Sequence, residues 1–184
     1  MLVSEAQREA RTIFFGGGPG GVVSGLLWLA SAAIATWVGR VPGMFALAIG
    51  GAFIFPITVL VLTLTGRRAS LSPGNPFAAL FMQVAFTIPL TIPVILGATA
   101  YRPGWFYPGF LIVVGAHYLP FIFLYGMRVF AVLAAVLIGG GMVIGMTRPD
   151  SFTLGGWFGG LVLLAYGVVM WPMQARQRRE EQAR

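Results

Sequence analysis

The chain has 184 residues, 58% hydrophobic and only 9% charged, with a formal net charge of +7. A soluble domain carries roughly 25% charged residues. So few charges cannot coat a water-exposed surface, and apolar runs of about 20 residues are those of a polytopic helical membrane protein.

Other classes fall away on composition. Cysteine is absent and there is one histidine, so no disulfide framework, thiolate centre or ordinary zinc ligand set is expected. All twelve basic residues are arginine. On paper the charge resembles that of a nucleic-acid binder, but these arginines stand at the ends of apolar runs. There they set topology and meet anionic lipid headgroups, so membrane lipids and not nucleic acid are the expected partners. No Asp or Glu occurs between Glu9 and Asp150. Membrane proton relays and cation sites place carboxylates inside the bundle. Paired-carboxylate hydrolysis and carboxylate-held metal ions need them as well. No metal and no cofactor is therefore expected.

In chain order, residues 1–19 form an N-terminal interfacial segment. Ser4 with Gln7 fits a capping box, opening a short amphipathic helix over roughly Ser4–Phe15. Glu5 and Glu9 cancel Arg8 and Arg11, so the positive start of a signal peptide is missing. The run Gly16-Gly17-Gly18-Pro19-Gly20-Gly21 follows. It contains a formal GxGxxG, but the dinucleotide fingerprint needs a strand before it and a helix after it in a soluble crossover unit. Here a membrane helix follows, and the run reads as a flexible break. Gly17, Gly21 and Gly25 then offer a small-residue face on which helix backbones can touch.

Six spans are expected over residues 20–172. Span one is about Gly20–Val38, with Trp28 inside and Trp37 at the far interface. Span two is about Met44–Thr65, interrupted by Pro56. A polar loop over 66–76 leads to span three, about Phe77–Thr99. The turn Tyr101–Pro108 is aromatic and is expected to anchor at the interface. From Tyr107 to Met146 the chain is almost unbroken apolar, roughly 60 Å if helical throughout and about twice the hydrocarbon thickness. It must turn back, and Tyr125-Gly126-Met127-Arg128 is the candidate. Span four is then about Tyr107–Tyr125 and span five about Val129–Met146. Span six is about Phe152–Trp171, closed by Pro172, with an Arg-rich tail over 173–184.

With six spans, nine arginines fall on the side of the N-terminal segment, the 66–76 loop, Arg128 and the tail. Arg40, Arg102 and Arg148 fall on the other. The positive-inside rule then places both termini in the cytoplasm. A re-entrant turn at Gly126 would instead move the C-terminus outside. Paired glycines in spans one and six, and mid-helix prolines in spans three and four, would also fit a three-plus-three repeat.

Polar residues at membrane depth are few. Gln83, Thr87 and Thr91 lie four residues apart, a drifting stripe on one face of span three. Pro89 and Pro93 free the carbonyls of Ala85 and Pro89 beside them. His117 lies near the centre of span four, with Pro120 freeing the carbonyl of Ala116. These groups could line a site for a polar solute; equally, the threonines could bond back to their own helix and the glutamine could glue two helices. His117, in hydrocarbon, is expected as a neutral imidazole, either a switch that responds to entering water or anions or a structural partner of Gln83, Tyr118 or a freed carbonyl. Arg67, Arg68, Arg128, Arg176, Arg178 and Arg179 are the expected lipid-contacting residues. No catalytic residue is expected. No acid could orient His117 as a base, and Ser70 and Ser72 lie in a surface loop.

The runs Gly16–Gly21 and Gly115-Ala116-His117-Tyr118-Leu119-Pro120-Phe121 resemble a bacterial family of small multi-span proteins known only as a domain of unknown function. The resemblance covers most of the chain and implies a bacterial cytoplasmic membrane location; it implies no activity, cofactor or site.

The expected fold is thus all-α, a six-helix transmembrane bundle preceded by an interfacial helix. Two functions fit it. One is a small transporter or channel-like protein for an anion or neutral solute, with Gln83, Thr87, Thr91 and His117 at its site. The other is a non-catalytic membrane scaffold or subunit acting through helix packing and lipid contacts. A homo-oligomer is compatible with both.

Overall fold

The computed structural model describes residues 1–66 and 69–182, without the side chains of Arg178, Arg179, Glu181 and Gln182. Among the described residues every regular element is helical. Helix α1 is Val3–Phe14, α2 Gly18–Trp37, α3 Arg40–Leu64, α4 Ala78–Tyr101, α5 Phe106–Leu124, α6 Val129–Thr147 and α7 Leu154–Gln182. Six of these, α2 to α7, supply stretches long and apolar enough to cross a membrane. The turn at Gly126 between α5 and α6 takes a left-handed conformation, φ 61°, which glycine adopts without a Cβ clash.

Helix α2 packs between α3 and α7, and α5 packs between α4 and α6. Contacts of α7 with α5 and α6 join the two groups. The helices α3 and α4 are left on the flanks. Only 17% of the spanning stretch of α3 and 11% of that of α4 is buried, against 39% or more in the other four.

The first and last spans meet along small residues. A Cβ at Gly25 would stand 2.5 Å from the Leu164 amide nitrogen, and one at Gly18 2.6 Å from that of Trp171. One at Gly21 would stand 3.0 Å from the Gly167 Cα. The touching face is therefore Gly18, Gly21 and Gly25. Gly17, expected on it, instead faces the Phe130 ring, because its left-handed φ of 78° belongs to the turn before the helix. Gly115, Gly140, Gly141 and Gly145 similarly admit neighbours within this chain.

The glycine run is a defined turn rather than a flexible break. Phe15, Gly16 and Gly17 all have positive φ, which swings the chain out of α1 and into α2. Tyr166 on α7 donates its buried hydroxyl to the Gly16 carbonyl at 2.6 Å. Helices flank the run on both sides, so the strand that a nucleotide fingerprint needs is absent here.

Helix α1 lies across one end of the bundle. Its buried face is Ala6 and Ala10. Gln7 donates to the Phe123 carbonyl at 2.7 Å and Arg11 to that of Tyr125 at 2.5 Å. Glu9 accepts from the Ser72 amide, the Ser72 hydroxyl and the Asn75 amide at 2.7, 2.9 and 2.8 Å. The N-terminal helix, the α3–α4 loop and the α5–α6 turn thus share one end, as an even number of crossings requires.

Three expectations are corrected. Helix α1 starts at Val3 and its capping contact runs from the Leu2 amide to Glu5 at 2.8 Å; Ser4 lies inside the helix, and Gln7 is used on the α5–α6 turn. Pro172 does not close the last span, since α7 runs through it to Gln182. A proline inside a membrane helix is tolerated because its neighbours re-satisfy the one freed carbonyl. Not every ring of the aromatic turn before α5 is free to meet lipid headgroups. Tyr101 is exposed, but Phe106 and Tyr107 are fully buried against Phe152 and Trp28.

Candidate functional site

His117 is where the polar residues of α4 and α5 meet. Its Nδ1 lies 2.9 Å from the Val84 carbonyl oxygen and 3.3 Å from the Thr87 hydroxyl. A carbonyl only accepts, so Nδ1 carries the proton, and in the neutral ring Nε2 is the remaining acceptor. The ring packs edge-on to Phe121 and Tyr118, with centroids 5.0 and 5.8 Å away. None of the three partners expected for it is used. Val84 O is not freed by a proline, since Pro89 frees the carbonyl of Ala85. The Val84 carbonyl takes the imidazole N–H together with the Thr87 hydroxyl.

The stripe on α4 divides. The Thr87 hydroxyl donates to Val84 O at 2.7 Å and Thr91 to Ile88 O at 2.8 Å, so both hydroxyls bond back to their own helix. Thr87 reaches His117; Thr91 and Gln83 do not. Gln83 is exposed and has no hydrogen-bond partner among the described residues. The stripe runs along the edge of the α4–α5 contact: Thr87 touches His117 of α5, Thr91 is half-buried and Gln83 is exposed.

Of the arginines expected at lipid, Arg128 and Arg176 are exposed. Arg67 and Arg68 lie outside the described residues, as do the side chains of Arg178 and Arg179. No group of three or more His, Cys, Asp or Glu side chains comes together among the described residues.

Two polar nodes escaped the sequence reading. Ser31 donates to the Gly43 carbonyl at 2.8 Å and accepts from Tyr107, 2.7 Å away, tying α2, α3 and α5 in the buried interior. Its only signal was a serine inside an apolar run. At the end remote from α1, the Trp157 indole donates to Thr36 at 3.3 Å, and Trp157 meets Trp37 edge to face. Two hollows, about 540 and about 430 Å³, open at opposite ends of the bundle. The first lies along α1 and Ser72, the second beside Arg40, Asp150 and Trp157. Neither is lined by Gln83, Thr87, Thr91 or His117.

No curated protein and no solved structure matches the chain. A family model described as a family of unknown function, DUF7010, matches residues 3–173. That stretch runs from the start of α1 into the last span, through the His117 clamp and both ends of the bundle, and the chain accordingly belongs to the DUF7010 family.

Proposed function

We propose that the protein is a non-catalytic membrane scaffold or subunit, acting through helix faces and lipid contacts. The observation that carries this reading is the use already made of its intramembrane polar groups. The Thr87 and Thr91 hydroxyls close bonds within α4, and the His117 Nδ1 clamps α5 to α4. A clamp of this kind holds a thinly buried helix in place. The two flanking helices leave long apolar faces for lipid or for a partner, a second copy included. The arginine asymmetry supports both termini facing the cytoplasm, in what the family resemblance implies is a bacterial cytoplasmic membrane, where Arg128 and Arg176 would meet anionic headgroups.

A second reading is transport of a small anion or neutral solute. It is favoured by the exposure of Gln83 and Thr87 on α4, and its pathway would run outside this chain's own bundle, between copies. The two readings separate in a thermal-stability screen of the purified protein with ions, small solutes and lipids, beside Gln83→Ala and His117→Ala. The scaffold reading expects stabilisation by lipids and by no ion or soluble solute, equal in both variants. A solute that stabilises the parent but neither variant would overturn it in favour of transport.

A further inference from the structure

The end of the bundle remote from α1 carries a hollow of about 430 Å³ lined by Thr36, Arg40, Asp150, Ser151, Phe152 and Trp157, among others. That volume falls in the range of about 300–1,000 Å³ usual for small-molecule sites. Its charges are of both signs. Arg40 lies over the Phe152 ring, 5.4 Å from the centroid, and Asp150 is exposed in the α6–α7 turn. Among the described residues neither closes an ion pair. The Ser151 and Thr153 side chains, beside them, make no hydrogen bond among the described residues. The positive ends of α3, which starts at Arg40, and α7, which starts at Leu154, add to the field of the guanidinium.

The hollow is also amphipathic along the membrane normal. The Trp37–Trp157 pair marks the interfacial level. Four and eleven residues beyond Trp157, on the same face of α7, Leu161 and Val168 are 59% and 57% exposed. A polar hollow thus continues into an apolar strip running toward the membrane centre.

We propose that this hollow binds a zwitterionic phospholipid with a primary ammonium headgroup. Its phosphate lies on Arg40 and the Ser151 and Thr153 hydroxyls, its ammonium on Asp150, and an acyl chain follows Leu161 and Val168. A guanidinium suits phosphate because it presents several donors in one plane. A carboxylate accepts hydrogen bonds from a primary ammonium but none from a quaternary one, so Asp150 discriminates ethanolamine from choline headgroups. The site needs only that the helices cross a membrane, and it stands whether or not the scaffold reading does.

The test uses full-length protein purified in detergent, read by native mass spectrometry and by thermal unfolding. The probes are phosphatidylethanolamine, phosphatidylcholine and phosphatidylglycerol with identical chains, and water-soluble glycerophosphoethanolamine. Phosphatidylethanolamine is expected to bind tightest. Asp150→Asn should weaken it roughly tenfold, down to the level of phosphatidylcholine, and Arg40→Gln should weaken both by a similar factor, as loss of one charge-assisted contact implies. Arg40→Lys should recover part of the loss. Equal binding of ethanolamine and choline lipids to the parent protein, or affinities unchanged in both variants, would overturn the proposal. Equal stabilisation by glycerophosphoethanolamine would overturn the lipid assignment by showing that a soluble ligand suffices.

Discussion

Replacing Tyr166 with phenylalanine isolates the bond that holds the entry turn to the last helix. The substitution removes one hydroxyl and leaves the ring against Phe130 and Tyr118, with centroids 5.6 and 6.5 Å away. The lost bond is short, buried and 150 residues long-range. Its removal also strands the Gly16 carbonyl, in a turn whose Gly16 residue is itself buried. An orphaned buried acceptor costs about 1–3 kcal/mol, and at about 2–4 °C per kcal/mol for a chain of this size the melting temperature should fall by roughly 2–12 °C. Tyr118→Phe is the control. Tyr118 sits in the same aromatic cluster and donates to no group among the described residues. Thermal unfolding in detergent reads the global effect, and hydrogen exchange at the amides of residues 12–17 reads the local one. Tyr166→Phe should loosen those amides and Tyr118→Phe should not. Equal melting temperatures for the two variants would refute the reasoning, since the bond would then contribute nothing beyond the ring.

Further outcomes follow from other contacts. Gly25→Ala should destabilise by about 1–3 kcal/mol or more, because its Cβ would meet backbone; Gly97→Ala, with nothing within 4 Å, should stabilise by up to about 1 kcal/mol through helix propensity. Equal chemical-denaturation midpoints for the pair would contradict the α2–α7 seam. Glu9→Ala removes the acceptor of three bonds from Ser72 and Asn75 and should speed tryptic cleavage at the 66–76 loop severalfold, while cleavage in the α7 tail stays at the parent rate. Glu180→Cys in this cysteine-free chain should resist an impermeant thiol reagent applied to intact cells; labelling from outside would place the C-terminus on the wrong side for six spans.

The architecture was readable because hydrocarbon imposes a length. A run as long as Tyr107–Met146 has to reverse, and Gly126 was the residue able to do it. The direction in which a stripe faces was not readable. In a soluble helix the apolar side points inward, but in lipid the outside is as apolar as the inside. The spacing of Gln83, Thr87 and Thr91 was therefore plain while their exposure was not. The His117 contact was hidden for a related reason, since its partner Val84 offers only a carbonyl, and every residue has one. Proline misled at Pro172 because helix-breaking rules from water weaken where no solvent competes for the backbone. Only the left-handed turn at Gly16 shows what the Tyr166 hydroxyl is for.

The α2–α7 seam has a consequence for how the chain is made. Its two halves are the outer two of the six spans in chain order, so the Gly18–Gly25 face waits for its partner while the four spans between are made. Spans two to five are synthesised before α7. Assembly is then gated by the final span, whose contacts are among the most distant in sequence that this chain makes. A nascent chain halted before Leu154 should keep that glycine face open to lipid, or to whatever membrane chaperone holds it until α7 arrives.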